Sequence, residues 1–359
     1  RESRPYRLET GYLNVGSLTG HGERYYVGLV SGGWPWHDFT VGLRLTGSAD
    51  AWLSHGSPIS DAHPRYRSAG ISAFVPLAPR QGLDVTVNLM ETNQSVEALG
   101  FRTEIAETSI IYRSALSNFV PARGQVRLGV ELRRHSRQVL FDNIAVSSVS
   151  GDILQTVLGW NYAERNDRHS GGVDIALHFS PGHLTGDNTP DALTKVAGGD
   201  AVSATYGYLG ASAWYSITSH SGFQITSQLS AQVSTQRLPI SERIGLSELA
   251  GLAAYGQDSG AYDDAVVFKA TLHAPPMVPF KRGSGKLGYS IQPYLFGVAG
   301  YVRERCGCAD HKVAAIGGGM TVAALTKLSG DLAVGRILAP IGGYKSGTFR
   351  LTAQARLVF

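Results

Sequence analysis

Period-two alternation of apolar and polar residues, repeated from one end of the chain to the other, constrains this 359-residue sequence more than any other feature. One early segment sets Phe39, Val41, Leu43 and Leu45 against Thr40, Gly42, Arg44 and Thr46. Leu83, Val85, Val87 and Leu89 alternate with Asp84, Thr86 and Asn88, and Val126, Leu128, Val130 and Leu132 with Arg127, Gly129, Glu131 and Arg133. The pattern returns at Val173–Phe179 and from Phe223 to Ser234. Successive side chains of a strand point to opposite faces, so each segment has one apolar and one polar face. A soluble sandwich shows the same alternation. These segments, however, run to ten residues or more, and their second face is rich in Gln, Thr and Arg, which is the pattern of a transmembrane barrel.

Composition agrees. Charged residues make up only 17% of the chain, below the roughly 25% of ordinary soluble proteins, and 44 glycines accompany 33 aromatics. No run approaches the roughly 20 apolar residues of a spanning helix. A net charge of +4 over this length makes no concentrated basic patch, which argues against a nucleic-acid partner. The C-terminal segment sets Phe349, Leu351, Ala353, Ala355, Leu357 and Phe359 on one face. A terminal aromatic on such a strand resembles the insertion signal of bacterial outer-membrane barrels, which makes Leu357 and Phe359 the candidate signal and the barrel-assembly machinery the implied insertion partner. At roughly 20 residues per strand and turn, the chain accommodates about 16 antiparallel strands. The expectation is one all-β barrel domain over 1–359, with 1–9 as lead-in, embedded in outer-membrane lipid.

Residues 241–255, SERIGLSELAGLAAY, and the following 256–275 resemble the long inward-folding loop and next strand of the two-partner-secretion outer-membrane transporters, the haemolysin-activator and filamentous-haemagglutinin-transporter family related to the barrel-assembly machinery. The family pattern is a Ser-Glu pair, a Gly-Gly, Val-Arg-Gly-Tyr or Phe, a glycine turn and a strand ending in Leu-x-x-Pro. Ser241, Glu242, Leu246, Tyr255, Gly260, Leu272 and Pro275 match in order, with Leu252, Ala253 and Ala254 completing the motif region. The segment 158–182 resembles the family's mid-barrel region, in which Gly159, Trp160 and Tyr162 open a strand, and 291–302 resembles its wall strand through Tyr294, Phe296 and Gly300. The likeness covers about the last 200 residues; the first 150 share only the general pattern.

The departures are specific. The family's Arg aligns with Ala253, the Gly after it with Ala254, the Gly-Gly with Ser247 and Glu248, and the wall-strand Asp with Val298. In the family that Arg, at the tip of the lid, pairs with that Asp. Losing both together avoids stranding a charge in the lumen, and implies that a lid over 241–264 is not held in the family's way. The family also carries periplasmic client-capture domains, and nothing before residue 10 encodes them. The resemblance implies export of a large polypeptide without nucleotide or cofactor. The alternatives are a repurposed barrel that anchors a surface-assembly protein, and a passive pore.

Nothing marks an enzyme, since no nucleophile elbow, P-loop or paired-His metal motif occurs. Cys306-Gly307-Cys308 lacks both Cys-x-x-Cys spacing and a second pair, so a loop closed by a small disulfide is preferred over a metal site. Arg44, Arg127, Arg133, Lys269, Arg350 and Arg356 fall on polar faces beside Asp84, Glu131 and Asp174, which fits either a positive lumen or cross-strand pairing. His178 is an ordinary lumen residue on this reading, and the tryptophans with the tyrosines form interfacial belts or, less simply, sugar-stacking tracks.

Overall fold

The computed structural model describes residues 6–14, 22–33, 38–53, 64–96, 99–142, 144–251, 253–256, 259–278, 289–305, 310–324 and 327–359. Strands occupy 69% of it. In chain order they are β1 (Tyr6–Asn14), β2 (Glu23–Gly32), β3 (Thr40–Gly47), β4 (Tyr66–Ala78), β5 (Gln81–Val96), β6 (Leu99–Ala115), β7 (Gln125–Phe141), β8 (Ile144–Arg165), β9 (His169–Ser180), β10 (Tyr206–Thr218) and β11 (Gln224–Ser234). There follow β12 (Ile244–Gly245), β13 (Ala261–Tyr262), β14 (Asp264–His273), β15 (Tyr289–Arg303), β16 (His311–Ala324), β17 (Leu328–Ile337) and β18 (Phe349–Val358). Three short helices sit in connections: α1 (Ala49–Leu53), α2 (Pro190–Val196) and α3 (Leu246–Ala250).

Sixteen of the strands close into one antiparallel barrel, each hydrogen-bonded to its neighbours in the chain, with β1 pairing β18 at the seam. β12 and β13 are the exception. They pair with each other inside the connection from β11 to β14, and β11 pairs directly with β14. The register explains the sequence pattern. On β7, Leu128, Val130 and Leu132 are exposed, while Arg127, Glu131 and Arg133 on the alternate face are less so. The same inversion holds for Ile175, Leu177 and Phe179 of β9 and for Phe349 and Leu351 of β18. A soluble sandwich buries the apolar face of its strands. Here that face is the outer shell, as lipid contact requires.

The connections differ between the two barrel ends. Pro79–Arg80 and Asn166–Arg168 are tight turns at the end that also holds both termini. At the opposite end the chain spends 48–65, 181–205 and 235–263 between strands. Outer-membrane barrels keep their short turns periplasmic and their long loops extracellular, which orients the barrel with both termini inward to the cell.

One expectation needs correcting. Gly159, Trp160 and Tyr162 do not open a strand: they lie near the end of β8, whose 22 residues begin far above the membrane end of its partner β9. Within that excess the apolar positions change phase, from Ile144 and Val146 to Val149 and Ile153, where Val146 has no partner on β7, but nothing in the sequence marks where pairing with β9 begins. Trp34, Trp36, Leu252, Cys306 and Cys308 lie outside the described residues.

Candidate functional site: a lid docked in the barrel lumen

Residues 235–263 leave the extracellular end of β11, turn into the barrel and return to β14. Two adjacent aspartates pin the neck of this lid. The Asp263 carboxylate, fully buried, accepts the backbone N–H of Leu238 at 2.7 Å and of Arg305 at 2.7 Å. The Asp264 carboxylate accepts Ser234 N–H at 2.7 Å and the guanidinium of Arg303 at 2.6 Å. Asp263 thus ties the descending arm to the connection after β15, and Asp264 ties the start of β14 to the end of β11 and to Arg303, each through its buried carboxylate.

Below the neck the descending arm is fastened to β7, β8 and β10. The Glu242 side chain, 0% exposed, accepts from the Arg133 guanidinium at 2.6 Å through one oxygen. Its other oxygen accepts from Gln155 Nε2 at 2.8 Å and Tyr208 Oη at 2.9 Å. Tyr206 Oη donates to Gln155 Oε1 at 3.0 Å, which fixes the Gln155 amide so that its nitrogen faces Glu242 and also Glu131 at 2.7 Å. Arg133 further donates to the Ser241 carbonyl at 3.0 Å and lies 3.4 Å from Glu107. The His178 ring stacks on Tyr208 with centroids 4.5 Å apart, 3.7 Å from Glu131, so this histidine belongs to the docking network. Gln232 of β11 completes it by donating to the Glu242 carbonyl at 3.0 Å.

The tip of the lid meets the opposite wall with different chemistry. Leu246, Leu249, Ala250, Ala254 and Tyr255 pack into one apolar cluster with Phe296, Val298 and Val302 of β15, Val313 and Ala315 of β16, and Ile337 of β17; Ala253 packs against it. The Ala253 carbonyl approaches Gly335 so closely that a Cβ there would stand 2.0 Å from it, so only glycine admits the lid at that depth. The Tyr255 hydroxyl donates to the Ala314 carbonyl at 3.0 Å and accepts the Ala314 N–H at 3.1 Å. Burial pushes the lid phenols of Tyr255 and Tyr262 up, Tyr262 to about 12, so both remain neutral donors at physiological pH.

The positions singled out by the sequence fall in both regions. Ser241 and Glu242 lie in the polar dock; Leu246, Ala254 and Tyr255 in the apolar cluster, with Ala253 packed against it; and Phe296 and Val298 on the wall beneath. Gly300 lies on the same strand, where a Cβ would clash with Val266 O at 2.5 Å. Ser247 and Glu248, which stand where the family has Gly-Gly, form part of α3. Leu357 lies in the last turn of the pleat of β18 and Phe359 directly follows the strand, its N–H donating to Leu8 O at 2.8 Å across the seam. Among the lumen charges pairing prevails: Arg127 lies 2.6 Å from Asp174 and Arg356 2.5 Å from Glu9. Gln155 and Tyr208 escaped the sequence reading, and Arg133 was placed on a polar lumen face without its partner, because it lies 109 residues from Glu242 and on a different strand. Spacing carries no trace of such a contact.

Beneath the lid tip, towards the end with the termini, a cavity of about 370 Å³ remains, lined by Gly251, Ala253, Lys269, Tyr294, Phe296 and Asp331 among others.

Neither a protein-family model nor a curated protein sequence matches this chain. Solved structures match its fold. CdiB from Escherichia coli, a two-partner-secretion transporter, matches over 100% of this chain with a TM-score of 0.76 at 12% identity, and 64% of the CdiB chain is covered. CdiB from Acinetobacter baumannii matches over 99% with a TM-score of 0.70 at 13% identity, with 60% of that chain covered. BamA from Haemophilus ducreyi lacking POTRA domains 1–3 matches over 100% with a TM-score of 0.62 at 12% identity, with 71% covered. The chain thus spans less than two thirds of the two CdiB chains. At these identities the likeness is one of architecture: this chain has the 16-stranded outer-membrane barrel fold shared with CdiB and BamA.

Proposed function

We propose that this chain is a bacterial outer-membrane barrel that passes an extended polypeptide through its lumen, with residues 235–263 as the gate. The observation that carries this reading is the polar dock of the lid. A segment inserted into the lumen and tied by one carboxylate, Glu242, to Arg133, Gln155 and Tyr208 can be released as a unit without unfolding the barrel. The architecture of CdiB supports the same reading. No nucleotide or cofactor is required, because a client folding on the far side supplies directionality.

The test is current across planar bilayers, together with secretion of a client encoded beside the gene. The intact barrel should conduct little, and Arg133→Ala should raise the current and alter secretion. A variant with unchanged current and a strain with unchanged secretion would remove the reading.

A second reading has its own observation. Ala253 and Val298 stand where the family's Arg–Asp pair would be, and both belong to the apolar seal at the lid tip. A lid cemented in this way suits a permanently plugged barrel that anchors a surface-assembly protein. On that reading Arg133→Ala changes neither current nor secretion, and a stoichiometric partner copurifies.

A further inference from the structure

Charges on the lumen wall are neutralised by a neighbour at several places: Arg113 lies 3.2 Å from Asp84 and Arg127 2.6 Å from Asp174. Two charges that line the cavity beneath the lid tip are not. Lys269 of β14 stands opposite Gln228 of β11 and Val298 of β15 in the register, so neither adjoining strand offers it a carboxylate there. Among the described residues its ammonium has no hydrogen bond and no ion pair, and on the wall it meets the Phe296 ring, 5.8 Å from Nζ to the centroid. On the lid side, a Cβ at Gly251 would stand 2.8 Å from Nζ, so the ammonium reaches the lid just past α3.

Asp331 of β17 is the counterpart. Its register neighbours are Thr321 of β16 and Gln354 of β18, neither of them a cation. The carboxylate accepts from Tyr294 Oη at 2.9 Å and from Thr321 Oγ1 at 3.1 Å. These neutral hydroxyls fix its position without cancelling its charge. Lys269 and Asp331 line one cavity of about 370 Å³ and make no ion pair with each other. Around them stand the hydroxyls and amides of Thr226, Gln228, Thr271 and Gln354. His273, another lining residue, ends β14, and Asp331 is the fourth residue of β17, which places the cavity in the periplasmic half of the lumen.

We propose that this cavity binds a small zwitterion, an amino acid or a short peptide with free termini, whose carboxylate meets Lys269 and whose ammonium meets Asp331. The charges choose the ligand. A simple anion gains Lys269 and is repelled by Asp331, and a simple cation meets the reverse. A ligand carrying both signs complements both groups, and partial desolvation in the cavity makes an unmatched charge costly. The surrounding hydroxyls and amides suit the polar atoms between the ligand's termini. The volume is at the lower end of the usual range for ligand sites, roughly 300–1,000 Å³, which limits the ligand to a few residues. The site stands whether or not the barrel exports a polypeptide.

The experiment is calorimetric titration of the full chain in lipid nanodiscs with L-alanine, dialanine and trialanine, each compared with its N-acetylated and its C-amidated form. At least one of the three should bind saturably below about 10 mM, and the tightest binder separates a free amino acid from a peptide. Capping either end should weaken binding about tenfold or more, the worth of a hydrogen bond to a charged group. Lys269→Gln should abolish the difference between the free and amidated forms, and Asp331→Asn that between the free and acetylated forms, while barrel migration on unheated gels stays unchanged. Should either variant fail to fold, the capped ligands on the unaltered protein still decide. The proposal is overturned if none of the three binds in that range, if the capped forms bind as tightly as the free ones, or if both variants keep the full discrimination.

Discussion

The two halves of the lid are held by opposite chemistry. Its descending arm is a carboxylate sunk among an arginine, an amide and a phenol on β7, β8 and β10; its tip is a set of alanines, leucines and a tyrosine pressed on the aliphatic wall of β15 to β17. A buried ion pair is insensitive to small shifts in size and intolerant of losing one partner. Apolar packing behaves the other way, yielding by degrees as volume is added or removed. On the gate reading proposed above, release lies at Glu242 and fit at Ala253 and Gly335, and the two should separate under mutation.

The largest effect is expected from Arg133→Ala. It leaves the Glu242 carboxylate, with no exposure, facing only neutral donors, at a cost of about 3–5 kcal/mol. Amide exchange of residues 246–255 should approach that of a free loop while the barrel strands stay protected. Glu242→Ala should cost less, because Arg133 retains Glu107 at 3.4 Å and Glu131 at 3.9 Å. Equal effects of the two would mean the lid is not held by this pair.

Next comes reinstating a charge pair at the tip. Ala253→Arg alone buries a guanidinium in an apolar cluster, and Val298→Asp alone buries a carboxylate. Together they should recover a coupling of about 0.5–3 kcal/mol in a double-mutant cycle read by lid exchange. Strict additivity would show that the two positions do not meet. Gly335→Ala is a smaller perturbation, since its Cβ displaces the Ala253 carbonyl, with an overpacking cost of about 1–3 kcal/mol. It should loosen the tip and leave exchange at Glu242 unchanged. The smallest effect belongs to Tyr255→Phe, which removes the hydroxyl's bonds to the Ala314 C=O and N–H while that carbonyl keeps the Leu338 N–H at 2.8 Å, at about 1 kcal/mol.

Much of the architecture was legible before any coordinates. Leu128, Val130 and Leu132 against Arg127, Glu131 and Arg133 already contain the two faces of a barrel wall, because side-chain direction along a strand depends only on parity. Strand number followed from length. The extent of β8 was not legible, since Ile144–Ser150 carries only a slipped alternation and its missing neighbour alone shows that it stands clear of β9. The lid was placed from Ser241, Glu242 and Tyr255 by resemblance, and the absent pair at Ala253 and Val298 suggested that its fastening had changed. What replaced the fastening could not be read, nor could the role of His178.

The sequence by itself determined that this chain makes a lipid-facing antiparallel barrel, because alternation is a local property of each strand and sixteen short copies of it leave no other way to satisfy the backbone in a bilayer. Which partner receives Glu242 and which glycine admits the lid tip were decided only when closure of the barrel brought β7, β8 and β10 around one side of the lumen and β15 to β17 around the other. Those contacts join residues a hundred positions apart, where the order of the chain sets no distance and only the closed circle of strands does.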